Sequence, residues 1–306
     1  MAKNNIMRVT DAEALLLKKI RENAITTAQA IEHSETKPAP HIGGPLDLEE
    51  ELDDLDLPWG HKEVEDPYVC SGRRVGVISD VHVPSHDKVA VEAALRFLKA
   101  KAIDTLIING DFMDMYQISS HDKDPMRRIS FGDELEEGRL ILGQIRKFFG
   151  KNVDIIYQEG NHEERYGRFL PKEMAGDKVR GSSMREQLDL HQLNITWVGD
   201  RRGIDLGKLR VYHGHEIKAS GVNPTRAMIM KSMHNVIVGH LHRQNALVKP
   251  RLDGGSVGAW VTGCLCDLRP HYAVSNEWGH GFAFVEISED GTFALQLHSI
   301  INGKVL

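Results

Sequence analysis

Cysteine is scarce in this chain: Cys70, Cys264 and Cys266 are its only three among 306 residues. So few thiols build no disulfide framework, and a reducing, cytoplasmic location is the expectation that follows. Cys264-x-Cys266 has neither the spacing nor the second pair of a zinc knuckle, and reads as two small buried residues. No apolar run is long enough to cross a membrane, and the opening Met1-Ala2-Lys3-Asn4-Asn5 has none of the apolar core of a secretory signal. Positive charge is not in excess either: the net charge is −6, which is not the signature of a protein that coats nucleic acid. That balance does not exclude a nuclease, because bound cations and a few local arginines can hold phosphates.

Five short polar clusters are what the chain does have. They read Asp80-Val81-His82, Gly110-Asp111-Phe112-Met113-Asp114, Gly160-Asn161-His162-Glu163, His213-Gly214-His215 and Gly239-His240-Leu241-His242. Each follows a run of aliphatic and β-branched residues, at 75–78, 105–108, 153–157, 209–212 and 235–238. Runs of this kind predict strands buried on both faces, and ligands in layered α/β proteins collect beyond the carboxyl ends of strands. One strand ending in His is ordinary; five ending in Asp, Asn or His share a cause. A pair of metal ions supplies it, since imidazole nitrogen and carboxylate oxygen suit Zn²⁺, Mn²⁺ and Fe, and an Asn carbonyl oxygen can complete a site. Two ions about 3.5–4 Å apart can clamp the attacking and the leaving oxygen of a phosphoryl transfer. An oxygen bridging them is held as hydroxide near neutral pH.

In these blocks the sequence resembles the calcineurin-like metallophosphoesterases, whose pattern is D-x-H, G-D-x-x-D, G-N-H-[DE], H and G-H-x-H. All five are matched in order between residues 80 and 242. The compact blocks look like those of prokaryotic and phage-type members. The resemblance implies an α/β fold, a four-layer α-β-β-α sandwich of two facing mixed sheets flanked by helices. It implies that Asp80, His82 and His242 bind one metal, that Asn161, His213 and His240 bind the other, and that Asp111 bridges them. His162 would contact the phosphate and help the leaving oxygen depart, a task suited to an imidazole near its working pKa. Asp114 fits the last acidic position of the second block, behind the ligands rather than among them. The fourth block offers two candidates; His213 directly follows the strand and is favoured, with His215 behind it or exposed. The cofactor expected is two divalent metal ions, Mn²⁺ first, with Fe, Zn²⁺, Ni²⁺ and Co²⁺ all admitted by the mixed ligands.

Around the blocks, Arg165 reads evenly as a phosphate clamp or as part of a solvated face, while Arg127-Arg128 and Arg201-Arg202 read as solvated. His121, in a polar loop after Asp114, is a candidate for lining the pocket. Residues 112–153, 163–203 and 260–278 are the segments expected to choose the substrate. Trp260 and Trp278 in the last of these read as core of the second sheet sooner than as platforms for a base.

The chain divides into a helical N-terminal arm at 1–36, an acidic, Pro- and Gly-containing linker at 37–70, and a catalytic domain at 71–306. The arm carries a helix at 11–20 and a second from Thr26, a fragment of a helix-turn-helix or, favoured here, a docking or dimerisation element. Helices are expected at 87–101, at 133–149, from the capping box of Ser183 and Glu186 toward Leu193, and from Asn223-Pro224 to Met233. A hairpin of 281–287 and 292–297 is expected to finish the second sheet. The function expected is hydrolysis of a phosphodiester, in a nucleotide or nucleic acid, by metal-bridging hydroxide. The alternatives are a small-molecule or protein phosphomonoesterase, and a catalytically weak binding protein or DNA-binding regulator acting through residues 1–60, with a homo-oligomer or partner docked there.

Overall fold

The computed structural model describes residues 66–119, 123, 129–173, 183–219, 221–270, 273 and 275–306, the side chains of 170–173 excepted. The expectations for the arm and for the linker up to residue 65, and those for His121 and Arg127-Arg128, fall outside the described residues. In chain order the strands are β1 (Tyr68–Val69), β2 (Arg74–Ile78), β3 (Thr105–Asn109), β4 (Asp154–Gln158), β5 (Ile195–Val198), β6 (Ile204–Leu206), β7 (Leu209–Val211) and β8 (Asn235–Val238). They continue as β9 (Gln244–Pro250), β10 (Ser256–Thr262), β11 (Gly281–Ile287), β12 (Phe293–Ile301) and β13 (Lys304–Val305). The helices are α1 (Lys88–Ala100), α2 (Phe131–Phe149), α3 (Asn161–Glu173), α4 (Met184–Gln187) and α5 (Pro224–Ser232).

Local chemistry accounts for the helix starts. Asp87 caps α1 by accepting from the Ala90 N–H at 2.9 Å, and Ser130 with Asp133 forms a reciprocal capping box on α2. Val91, Ala94, Leu95 and Leu98 of α1 and Leu135, Leu142, Ile145 and Phe149 of α2 recur at helical spacing and are buried.

Two mixed sheets result. One has the order β13-β12-β11-β2-β3-β4-β5, and the other β1-β6-β7-β8-β10-β9. Side-chain alternation along the strands sorts residues into layers. Ile78, Leu106 and Ile108 pack with Leu95 and Leu98 of α1 and Leu135, Leu142 and Ile145 of α2. Val75, Val77 and Ile107 point the other way and meet Ile204, Leu206, Leu209, Val211 and Ile237 of the second sheet. On the far side of that sheet, Val236, Val238, Ala259 and Val261 pack against Met228 and Ile229 of α5. Three apolar layers separate four structural ones, which is the expected α-β-β-α sandwich. No helix among the described residues is long and apolar enough to cross a membrane.

Four details differ from the sequence expectation. The β11–β12 hairpin joins the first sheet, where β11 pairs antiparallel with β2; the second sheet is finished by β9 and β10. Tyr68–Val69, placed in the linker, pairs parallel with β6, so the sandwich starts before residue 71. The capping box of Ser183 and Glu186 is present, but α4 ends at Gln187 because the chain passes to a left-handed Asp189 (φ 52°). Asn223 makes no side-chain cap to α5.

Candidate metal centre

Each polar cluster begins where a strand stops. Strands β2, β3 and β4 run parallel, as do β7 and β8, so their carboxyl ends deliver five loops to one edge of the sandwich. The loops turn sharply: Asp80 (φ 55°), His82 (53°), Asp111 (49°), His240 (62°) and His242 (55°) all sit in the left-handed region. Such residues are sterically disfavoured and persist only where surrounding bonds hold them. Here Asp80 N–H donates to Gly110 O (3.2 Å), His82 N–H to Asp111 O (3.0 Å) and Gly239 N–H to His213 O (2.8 Å). Glycine is required at two of the turns. A Cβ on Gly160 would strike the Asp111 backbone nitrogen and carboxylate, and one on Gly239 would strike the Ser79 hydroxyl and Asp80 carboxylate.

Asp111 stands at the centre and is 1 % exposed. Its Oδ1 accepts from the His162 backbone N–H at 2.9 Å. Its Oδ2 lies 3.2 Å from His213 Nε2, 3.6 Å from His162 Nε2 and 4.0 Å from His82 Nε2. Asn161 Oδ1 is 3.2 Å from the same His213 nitrogen, and His213 Nδ1 is fixed on the Asn109 carbonyl at 2.8 Å. Fully buried Asp80 uses Oδ2 to accept from Ser79 Oγ (2.5 Å) and His240 N–H (2.8 Å). His82 and His242 face each other with their Nε2 atoms 3.1 Å apart. The donor atoms group by threes, within 4.8 Å of one another, as Asp80, His82 and Asp111; as Asp111, His213 and His240; as His82, Asp114 and His162; and as His82, His242 and Cys266. Shared members make these one connected centre.

The donor set fits divalent cations. Asp80 Oδ1 is buried with no hydrogen bond, although His242 Nε2 is only 3.1 Å away; an anionic oxygen in that state needs a cation. Burial pushes the Asp111 carboxyl up, but His162, His213 and His82 outweigh it and hold it well below the usual carboxylate range. Burial likewise opposes ionisation of Asp80, yet His242 and His213 bring its pKa to about 2. Burial pushes His213 down, and Asp111 with Asp80 overcomes it and raises the imidazole well above its ordinary value. Without metal, protons on histidines balance the two carboxylates, and cation binding would release them.

All seven expected ligands are thus brought together. Asp114 lies behind them, its Oδ1 3.7 Å from His82 Nδ1 and 3.8 Å from His162 Nδ1. His215 also stands back, 3.3 Å from Glu164 Oε2 and 3.5 Å from Glu216 Oε2. Arg165 reaches the centre, its guanidinium 3.0 Å from His162 Nε2, whereas Arg201 is taken by Glu164 at 2.7 Å. His162 departs from the expected proton donor. Burial drives its pKa down to about 4, against the pull of Asp111, and Nδ1–H donates to the Asp114 carbonyl at 2.6 Å, leaving Nε2 as the acceptor for Arg165.

Three residues at the centre escaped the sequence reading. Glu163, last letter of the third block, accepts from the backbone N–H groups of Asp111, Met113 and Gly160 and from Tyr157 Oη. Its place in the block was the available signal. Cys266, read as a mere buried residue, puts Sγ 3.9 Å from His242 Nδ1. Trp278, read as core of the second sheet, packs instead on His242, ring centroids 4.2 Å apart. It is Trp260 that joins the core between the sheets.

Beside the centre, burial raises the Glu159 carboxyl from an ordinary 4.5 to about 7, helped by Glu163 and opposed by the Asp200 N–H. The folded chain therefore holds a proton there that the unfolded chain has released, so this stability is lost as pH rises through the window from 4.5 to about 7. In EDTA, Glu159→Gln should match the native chain at about pH 4 and exceed it by about 2 kcal/mol at about pH 8. Urea denaturation at both pH values tests this, and equal stability at the higher one would contradict it.

No family model and no curated protein matches the chain. Solved structures do resemble it. A mutant Vps29 from Entamoeba histolytica is 15% identical, with 76% of this chain and 96% of that one covered at a TM-score of 0.40. The phosphoesterase YfcE from E. coli is 16% identical, with 73% and 98% covered at 0.34. A dimetal phosphatase from Danio rerio is 12% identical, with 76% and 98% covered at 0.37. At such distances the chemistry of this chain has to be argued from its own residues.

Proposed function

We propose that this chain is a dinuclear metal-dependent phosphoesterase of the calcineurin-like superfamily, acting on a phosphodiester in a nucleotide or nucleic acid. The carrying observation is the buried pair Asp80 and Asp111 set among four imidazoles, with Asp80 Oδ1 left without a hydrogen bond. Asp80, His82 and His242 would hold one ion and Asn161, His213 and His240 the other. Asp111 would serve both ions, its Oδ2 lying 3.2 Å from His213 Nε2 and 4.0 Å from His82 Nε2. Bound divalent cations, Mn²⁺ as first choice, would supply Lewis acidity toward phosphoryl oxygens and a nucleophile from water at neutral pH.

The rest falls to the protein. His162 assists the leaving oxygen in partnership with Arg165 rather than as a free acid, because its Nδ1–H is committed to Asp114 and its Nε2 faces the guanidinium. The planar guanidinium of Arg165 can donate two parallel hydrogen bonds to phosphate oxygens. Asp114 backs both rings: its carbonyl accepts from His162 Nδ1–H at 2.6 Å, and its carboxylate Oδ1 lies 3.7 Å from His82 Nδ1.

The test uses metal-stripped protein reloaded with Mn²⁺ and assayed on a bis-aryl phosphodiester and the matching aryl monoester. The diester should be turned over at least about tenfold faster, a difference of about 1.4 kcal/mol in barrier. A monoester preference would overturn the substrate class and keep the chemistry. No turnover of either with two ions bound would overturn the enzymatic reading.

A further inference from the structure

Three of the candidate ligands are imidazoles with an acceptor behind the ring, and the acceptors differ. His213 Nδ1 has the Asn109 carbonyl at 2.8 Å, and His82 Nδ1 has the Asp114 carboxylate at 3.7 Å. Behind His242 stands a sulfur: Cys266 Sγ lies 3.9 Å from Nδ1. Cys266 is 3 % exposed, Cys264 is fully buried, and both are free thiols. A thiol can donate or accept, so its neighbours decide the direction of the contact with His242.

Those neighbours form a chain. Cys264 Sγ donates to the Gly279 carbonyl at 3.7 Å, and a thiol has one hydrogen to give. The hydrogen bond between the two thiols is therefore donated by Cys266. Its hydrogen is spent there, so toward His242 the sulfur accepts and Nδ1–H donates. A neutral imidazole with its hydrogen on Nδ1 presents a lone pair at Nε2. His242 Nε2 faces Asp80 Oδ1 and His82 Nε2, each at 3.1 Å, and Asp80 Oδ1 is the buried oxygen without a hydrogen bond. The tautomer set by the sulfur is the one that a cation at this place needs. The backbone holds the sulfur there: Leu265 N–H donates to the Asp80 carbonyl at 3.0 Å and Asp267 N–H to the Ser85 carbonyl at 2.8 Å. Gly279, which takes the Cys264 hydrogen, gives its own N–H to the His242 carbonyl at 2.8 Å. The network leaves His242 at its ring and returns to it at its backbone. An apolar side chain of the same size would fill the space but offer Nδ1–H no acceptor.

We infer that Cys266 is a positioning residue for the ion that Asp80, His82 and His242 would hold, its sulfur fixing the tautomer and orientation of His242 so that Nε2 is offered to the cation. This rests on the metal-centre reading above and adds to it a thiol that acts through a ligand. Cys266 Sγ is also close enough to His82 and His242 to be a ligand itself, and the test separates the two roles. Groups that hold a ligating His from behind change metal affinity by about 10–100-fold.

The experiment is calorimetric titration of Mn²⁺ into the metal-stripped full chain, comparing the native protein with Cys266→Ala and Cys266→Ser. The native chain should bind two ions. Cys266→Ala should weaken one of them by at least about tenfold and leave the other unchanged. Cys266→Ser keeps an acceptor in nearly the same space and should retain part of the lost affinity. No loss in Cys266→Ala would overturn the proposal. So would a loss equal in the two variants or shared by both ions, because packing alone would then account for it. The native chain loaded with Co²⁺ should show no sulfur-to-metal charge-transfer absorption; a band that disappears in Cys266→Ser would overturn positioning in favour of direct ligation. Failure of the native chain to bind Mn²⁺ would overturn the metal centre together with the proposal. Should both variants fail to fold, nitrogen NMR of the native chain loaded with Zn²⁺ still decides: His242 should carry its hydrogen on Nδ1, and a hydrogen on Nε2 would overturn the proposal.

Discussion

Asp111→Asn should lower Mn²⁺-supported diester hydrolysis by about 10³-fold, about 4 kcal/mol of barrier, with little change in fold. The substitution is nearly isosteric, and the packing around Asp111 is not apolar jigsaw but polar lining. What changes is the donor set. Oδ1 already accepts from the His162 N–H, so Oδ2, 3.2 Å from His213 Nε2, is the oxygen that would remain for a cation. An amide oriented to keep the His162 bond turns an NH₂ group toward that position, which repels a cation and removes the one negative charge common to both ligand sets. The readouts are turnover and bound metal counted by plasma mass spectrometry, with circular dichroism as the control for folding. Retention of both ions and more than about a tenth of the activity would remove Asp111 from the centre of the mechanism.

The convergence of the candidate ligands was legible because the chemistry of each cluster is local. A strand of aliphatic residues followed by Gly, Asp, Asn or His announces both where the sheet ends and what waits there, and β2, β3, β4, β7 and β8 all follow that rule. Sheet membership was not legible in the same way. The run at Gly281–Ile287 is apolar on both faces, which says that it is central but not to which sheet. Its pairing with β2 joins segments about 200 positions apart and depends on which edge is open. Strands β9 and β10 went unrecognised for a related reason. The first alternates between exposed and half-buried residues as an edge strand does, and it ends in Pro250, which an edge tolerates. The course of α3 was hidden by its own motif. Asn161, expected as a metal ligand, and His162, expected as a phosphate contact, form the first turn of a helix whose opening acids, Glu163 and Glu164, suit the positive end of its dipole. Trp278 and Cys266 lie on the segment that returns from β10 and carry no pattern at all; long-range hydrogen bonds such as Gly279 N–H to His242 O and Leu265 N–H to Asp80 O place them.

The same third block holds the residue on which the geometry of the centre most depends. Glu163 is fully buried, and its carboxylate gathers four donors. Oε2 accepts from Asp111 N–H at 3.0 Å and Gly160 N–H at 2.9 Å. Oε1 accepts from Met113 N–H at 3.0 Å and Tyr157 Oη at 2.7 Å. The bonds pin the second cluster to the third, and so fix Asp111 relative to Asn161. Burial and the nearby Asp111 charge hold the Glu163 carboxyl above its ordinary value, against the pull of the Met113 N–H and the Tyr157 hydroxyl. Glu163→Ala would leave three backbone N–H groups and a phenol buried without partners. At about 1–3 kcal/mol each, the loss should reach about 4 kcal/mol or more, seen as a lower urea midpoint. Glu163→Gln should rescue little of it. Its amide offers one acceptor oxygen in place of two and aims its own N–H groups at donors. Metal affinity should fall by about 10–100-fold in both variants, as for other groups that hold ligands from behind. If Gln restored native stability, the carboxylate would be a neutral spacer, and the left-handed turn at Asp111 would have to be held by its bonds to the first loop alone.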